Sequence, residues 1–372
     1  MHSMQQKSIP QLTGIRAIAA IGVVLFHLGG DLATLLPASK VLNRFIHSGY
    51  LGVDIFFVLS GFILAYNYLL VPWSFHTYKN FLWLRLARIY PVHLFTLLLL
   101  VPIVLREHFF HIEVQSAIDT SMQAWFANVG LLQGWPALVH NTSWNFPAWT
   151  ISDEWSMYLL FPLLTIWLGR KKLAVPMLWL CFAGCFALLI LIYRILPDPG
   201  NPIQTGLPRI LCEFTAGVIL FLLFKAPARI PASPALLALL TCALAALLAG
   251  RLRIAICTVP VFALLLLRLA QGESWLSRIL AWRWLVYGGE ASYSLYMTHA
   301  FSLLLLTKFL PSARFAGTHL YTRLGVLAIY VATICALAVL TFEWIEKPCR
   351  RWMRNAARSA PEPTLPVTGS NV

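Results

Sequence analysis

Apolar residues run through this chain in long blocks separated by short polar breaks. A helix that crosses a hydrocarbon core needs roughly 20 mostly apolar residues. Ten blocks meet or approach that length, at 12–30, 50–70, 90–107, 149–168, 173–193, 207–224, 233–250, 253–270, 291–309 and 322–344. The weakest are the block at 253–270 and the aromatic, polar stretch at 120–148. The pattern predicts an all-α polytopic membrane protein with about ten transmembrane helices and no internal repeat. Residues 8–352 read as one membrane domain. Residues 353–372 are rich in Ser, Pro and Thr and are expected to form a short disordered tail.

Charge sets the expected orientation. Cytoplasmic loops collect Lys and Arg. With ten spans, one side receives 18 of the 28 basic residues and the other 10. The richer side holds Lys7, Arg16, Lys79, Arg85 and Arg88, and also the cluster from Lys347 to Arg358. Both termini are therefore expected in the cytoplasm. The longest non-spanning stretch, 108–148, contains no Lys or Arg, as an outward-facing loop should.

Composition agrees with the bilayer as solvent. Of the 372 residues, 59% are hydrophobic and only 11% charged, against about a quarter charged in soluble domains. The net charge of +14 would suggest nucleic acid in a soluble protein; here the positive-inside bias explains it, and nucleic-acid binding is not expected. The seven cysteines form no Cys-x-x-Cys pair and read as small apolar fillers. The first apolar block contains Arg16 and His27 and is followed by no small-residue cleavage site, so it is a poor signal peptide.

Titratable residues inside spanning helices are costly and are functional candidates by default. Arg16 and His27 lie eleven residues apart on the first helix, within about 20° of one face and roughly 16 Å apart along the axis. One face thus offers a fixed cation at one end and a proton acceptor at the other. Taken alone, the pair is better read as a snorkelling Arg and a core histidine bonded to backbone. Arg85 and Arg88, at i,i+3, share a helical face. With Arg16 they could cradle an anion, since the planar guanidinium binds phosphate bidentately; the plainer reading is a positive-inside loop.

Two more groups sit toward the outer ends. Trp149, Ser152, Asp153, Glu154 and Tyr158 open the fourth helix, with Glu154 expected to lie deeper than Asp153. Carboxylate and aromatic side chains together suit a carbohydrate, and Glu154 could also orient a histidine; an interfacial aromatic belt with a capping Ser or Asp is the alternative. Asp54 falls near the depth expected for His27, with Ser60 and Gly61 below it as close-packing small residues. His299 is a second intramembrane histidine. Zincin, nucleophile-elbow, P-loop and dinucleotide motifs are absent, and no metal is expected.

These segments, in this order, resemble membrane acyltransferase family 3, whose members acylate carbohydrates and other acceptors at bacterial membranes. Leu12-Thr13-Gly14-Ile15-Arg16 through His27 is similar to the opening motif, with ten residues between Arg and His. Gly52-Val53-Asp54-Ile55-Phe56-Phe57-Val58-Leu59-Ser60-Gly61, Arg85-x-x-Arg88-Ile89-x-Pro91, and Pro147-Ala148-Trp149 through Glu154 and Tyr158 resemble the next three. Ser292-Tyr293-Ser294-Leu295-Tyr296 with His299, then Glu346-Lys347-Pro348 with Arg350 and Arg351, resemble the last two. Thr13 departs from the Asp often found there. Six matches in order, over Pro10 to Arg351, are far more specific than any one.

The resemblance implies a bacterial inner-membrane O-acyltransferase, and most often an O-acetyltransferase. The implied donor is cytoplasmic acyl-coenzyme A, with acetyl-CoA the commonest, and the implied acceptor is a hydroxyl of a surface polysaccharide or lipid-linked glycan. Arg16, Arg85 and Arg88 are then expected to hold the donor. His27 is expected as general base or transient acyl carrier, with Glu154 or Asp54 fixing its ring, and Trp149, Ser152, Tyr158 and His299 at the acceptor. Some members carry a C-terminal extracytoplasmic hydrolase-like domain; none is visible here, which implies one-step transfer by the membrane domain. A transporter or flippase whose polar residues line a pathway is the competing class.

Overall fold

A computed structural model describes residues 9–36, 40–110, 118–169, 173–196, 201–226, 236–237, 240–241, 243, 255–272 and 274–359. The elements are helical: α1 (Pro10–His27), α2 (Gly29–Leu35), α3 (Lys40–His47), α4 (Gly52–Tyr68), α5 (Phe75–Phe110), α6 (Met122–Val129), α7 (Trp149–Gly169), α8 (Val175–Ile195) and α9 (Pro202–Lys225). After the sparsely described stretch come α10 (Ala255–Ala270), α11 (Trp275–Leu280), α12 (Arg283–Phe309), α13 (Leu320–Thr341) and α14 (Lys347–Ser359). No strand occurs among the described residues. Six segments, those of α1, α3–α4, α5, α8, α9 and α13–α14, are long and apolar enough to cross a bilayer. The protein is a multi-pass membrane protein. The predicted span 233–250 lies mostly outside the described residues.

Local sequence explains the helix ends. Pro10 and Pro202 stand in first turns, where a missing N–H costs nothing. The side chains of Ser121 and Asn201 accept backbone N–H groups at the starts of α6 and α9. Two helices run well past the apolar blocks that announced them. α5 begins 15 residues before the block at 90–107 and therefore carries Arg85 and Arg88 within the helix. α12 begins at Arg283 rather than at 291. Polar residues hid both starts: Arg85 and Arg88 turn inward on α5, while Arg283 at the start of α12 is exposed. The boundary expected at 352 also falls within a helix, since α14 continues to Ser359; residues 360–372 lie outside the described residues.

The bundle is organised around α4 and α9, which run side by side in the same direction. Gly61 lies against the carbonyl of Phe214, and Gly217 against that of Val58. A Cβ at either glycine would come within 2.0 Å of the opposing oxygen, so only glycine lets the backbones approach this closely. The same device joins α1 to α12, where a Cβ on Gly289 would meet the carbonyl of Thr13 at 1.8 Å. α1 is thereby held at the centre, with α4 and α12 on its flanks.

These contacts predict an asymmetry. Gly217→Val should destabilise the bundle by about 3 kcal/mol or more, the upper end for overpacking, because backbone must yield. Gly184→Val on α8, where no atom lies within 4 Å of the added carbon, should be nearly silent. Thermal unfolding of the two detergent-purified variants, followed by size-exclusion chromatography, checks this.

Candidate active site

α1, α4, α5, α7 and α12 enclose a cavity of about 110 Å³. Its lining includes Arg16, Ser60, Arg85, Arg88, Glu154, Tyr158, Tyr293 and Tyr296. Glu154 is fixed from two sides: the Ser60 hydroxyl donates to it at 2.6 Å and the Tyr158 hydroxyl at 2.5 Å, both to Oε1. Arg85 is buried and held by rings, its guanidinium carbon 5.4 Å from the Tyr68 ring centre and 5.7 Å from that of Phe81. It donates weakly to the Tyr68 hydroxyl at 3.3 Å, and its Nε has no partner. Arg88 Nη2 is likewise buried without a partner. Arg16 packs over Phe56 at 5.9 Å. Three guanidiniums therefore face one carboxylate across this cavity.

The other end of the α1 face carries His27. Its ring stacks on that of His299 of α12, with centres 5.1 Å apart and planes inclined by 29°. Phe146 closes edge-on over both, at 4.8 Å from His27 and 5.8 Å from His299. His299 is fully buried; its Nδ1 meets the Tyr296 carbonyl at 2.5 Å, which assigns the proton to Nδ1 and leaves Nε2 as a buried, unpartnered base. Tyr296 connects the two regions, because it lines the arginine cavity and also packs against His299 at 5.7 Å. Phe146 is delivered by Asn145, whose amide donates to the Met297 carbonyl and the Thr96 hydroxyl. The segment before α7 is thus clamped onto α12 and α5.

A third buried charge group is separate. Arg209 of α9 grips Asp54 of α4, with Nε 2.6 Å from Oδ1 and Nη2 on Oδ2, and it lies 3.6 Å from Glu213 one turn along. All three are buried.

Residues 9–342 match the acyltransferase domain of acyltransferase family 3. The chain belongs to that family. It is 28% identical to acyltransferase MdmB of Streptomyces mycarofaciens over 390 residues, covering 95% of each chain. It is 29% identical over 184 residues to peptidoglycan O-acetyltransferase OatA of Listeria monocytogenes; that match takes in 45% of this chain and 26% of the Listeria protein. The O-acetyltransferase OatA of Staphylococcus aureus is 28% identical over 177 residues, again 26% of its length. No solved structure matches. The protein is a membrane acyltransferase, and a transporter reading has lost its ground.

For this acyltransferase the structure gathers some expected site residues and disperses others. Arg16, Arg85, Arg88, Glu154 and Tyr158 do line one cavity. His27 and His299 do meet. Asp54 is a correction: it was expected beside His27, but its carboxylate is taken up by Arg209. Glu154 does not touch the His27 ring either, because Ser60 and Tyr158 hold it in the arginine cavity. Ser152 is a second correction; its hydroxyl donates to the Leu131 carbonyl at 2.8 Å and is buried away from the cavity. Trp149 packs edge-on against Phe57 at 6.3 Å and sits next to Gly206. Asp153 is more buried than Glu154, not less: its carboxylate is wedged between Gly134 and Gly206.

Sequence reasoning missed Arg209 and Glu213, and gave Asn145 and Phe146 no role. Arg209 and Glu213 stand four apart in an apolar helix, which is a signal of an intrahelical pair pointing inward. Nothing in the sequence marks Phe146 among 23 phenylalanines.

Proposed function

We propose that this acyltransferase draws an acyl group from cytoplasmic acyl-coenzyme A and passes it through the bundle to a hydroxyl of a surface glycan. The observation that carries the reading is the charge imbalance of the α1–α5–α12 cavity. Arg16, Arg85 and Arg88 outnumber Glu154 there, and two of their buried nitrogens lack partners. Uncompensated buried charge is expensive; a diphosphate supplies the missing anion and suits guanidinium geometry. On this reading the Arg16 end of the bundle is cytoplasmic, in keeping with the positive-inside bias, and ten spans place both termini there. The membrane is the bacterial inner membrane.

The transfer itself needs few parts. The donor's pantetheine arm runs from the arginines toward His27, a rise of roughly 16 Å along α1. His27 takes the proton of the acceptor hydroxyl as the oxygen attacks the thioester carbonyl; the carbon–sulfur bond breaks and the thiolate recovers the proton. Tyr296 lies between the two regions, where it would flank the thioester. The name of the Listeria relative, a peptidoglycan O-acetyltransferase, supports a glycan as acceptor and acetyl as the group moved.

The test is transfer of labelled acetate from acetyl-CoA to cell-surface glycan, with and without the gene. No label in any glycan, despite a folded protein, would reject the reading. Arg88→Ala should raise the KM for acetyl-CoA by about ten- to a hundredfold, the loss of one charge-assisted contact, and leave the KM for the acceptor unchanged. An equal rise in both would remove Arg88 from the donor site.

A further inference from the structure

The donor cavity does not account for all the charge at its end of the bundle. Between α13 and α14 the chain makes a π-turn over Phe342–Glu346. π-turns insert a residue into a helix and redirect the side chains that follow. Here the turn sends Trp344 outward, where it is exposed, and Glu346 inward, where it is buried. The Ser294 hydroxyl of α12 donates to Glu346 Oε2 at 2.7 Å, which pins the carboxylate to the helix that carries Tyr293 and Tyr296. Its Oε1 faces Arg350 Nη1 at 3.6 Å, beyond hydrogen-bond range, and has no bonded partner.

Arg350 is half-buried beside Glu346, which Ser294 ties to the stretch of α12 whose Ser292 and Tyr293 line the cavity. α14 is tied to the helix that bears Arg85 and Arg88: Trp83 Nε1 donates to the Met353 carbonyl at 2.8 Å. The next residue, Arg351, points away and is exposed. With Arg350 beside Glu346, Arg16, Arg85, Arg88 and Arg350 outnumber Glu154 and Glu346 by two positive charges. Such a surplus calls for a ligand with more than one anionic group.

We propose that Arg350, positioned by Glu346 through the π-turn, is a further phosphate-binding residue of the donor site and engages the outer, ribose-linked phosphate of coenzyme A. The inference rests on the acyl-CoA reading and extends it. The inner arginines hold the diphosphate. Arg350 sits further out along the same path, where the nucleotide end of the donor must lie if the thioester points toward His27. Glu346 stands beside the guanidinium at 3.6 Å without a hydrogen bond to it.

Binding to purified full-length protein tests this with two probes that differ by that one phosphate, coenzyme A and 3′-dephospho-coenzyme A. The wild type should bind coenzyme A at least tenfold tighter. Arg350→Ala should bring coenzyme A down to the level of the dephospho form and leave the dephospho form unchanged. Arg351→Ala removes the same charge one residue away and should keep the discrimination. Glu346→Gln should weaken it while the protein stays monodisperse. Equal weakening of both probes by Arg350→Ala, or equal effects of Arg350→Ala and Arg351→Ala, would overturn the assignment. A lipid phosphate is the other source of such an anion. Loss of the discrimination in nanodiscs containing phosphatidylglycerol, relative to phosphatidylcholine, would assign Arg350 to lipid and also overturn it. If the wild type binds neither probe, the acyl-CoA reading itself fails, a result distinct from any of these.

Discussion

Replacing His27 by alanine should reduce acyl transfer to background while the protein accumulates and purifies normally. The expected loss is about a hundred- to ten-thousandfold, the usual contribution of a positioned general base. The two halves of this prediction have separate causes. His27 closes an aromatic group with Phe26, Phe146 and His299 and makes no ion pair, so its loss removes packing from the end of α1 without stranding a charge. Insertion depends on the apolar run from Ala17 to Phe26, which the substitution leaves intact. Donor binding should also persist, because the arginine cavity lies about three helical turns away. The measurement is labelled-acetate transfer alongside coenzyme A affinity on the same preparation. Transfer at the wild-type rate would remove His27 from the chemistry, whereas loss of both transfer and donor binding would point to misfolding.

The helical, multi-pass character of this protein was legible because apolar blocks of helix length are the strongest signal a membrane sequence carries, although six helices among the described residues, not ten, are long and apolar enough to span. Helix starts were less so. Arg85 and Arg283 lie inside helices that hydropathy alone begins later, since a buried arginine such as Arg85 and an exposed one such as Arg283 look alike in a sequence. The same ambiguity decided the site. Arg16 and His27 could be placed on one face because eleven residues along one helix fix their relation. Asp54 could not be placed by depth: only the fold shows that α9, running parallel to α4, brings Arg209 to it. Ser152 and Glu154 are two residues apart, so they point in different directions. One reaches a carbonyl of the preceding loop and the other reaches the cavity.

The Arg209 cluster gives the second large effect, on stability. Asp54, Arg209 and Glu213 are buried together, with Tyr50 and Tyr193 close enough to feel their charges. Removing one partner of a buried ion pair strands the other, at about 3–5 kcal/mol. Arg209→Leu strands two carboxylates in the seam between α4 and α9, and it should unfold the protein at markedly lower temperature. Asp54→Asn should cost less, because Arg209 keeps Glu213 within 3.6 Å and Asn still accepts a hydrogen bond from the guanidinium. Adding Asp54→Leu to Arg209→Leu should recover part of the loss, since one of the stranded charges is gone. The ranking separates two roles for Asp54. As the clamp between α4 and α9, it can become Asn with only moderate loss of stability and with transfer per folded molecule retained. As a partner of His27 it could not, and an Asp54→Asn protein of wild-type stability with no transfer would return it to the catalytic group.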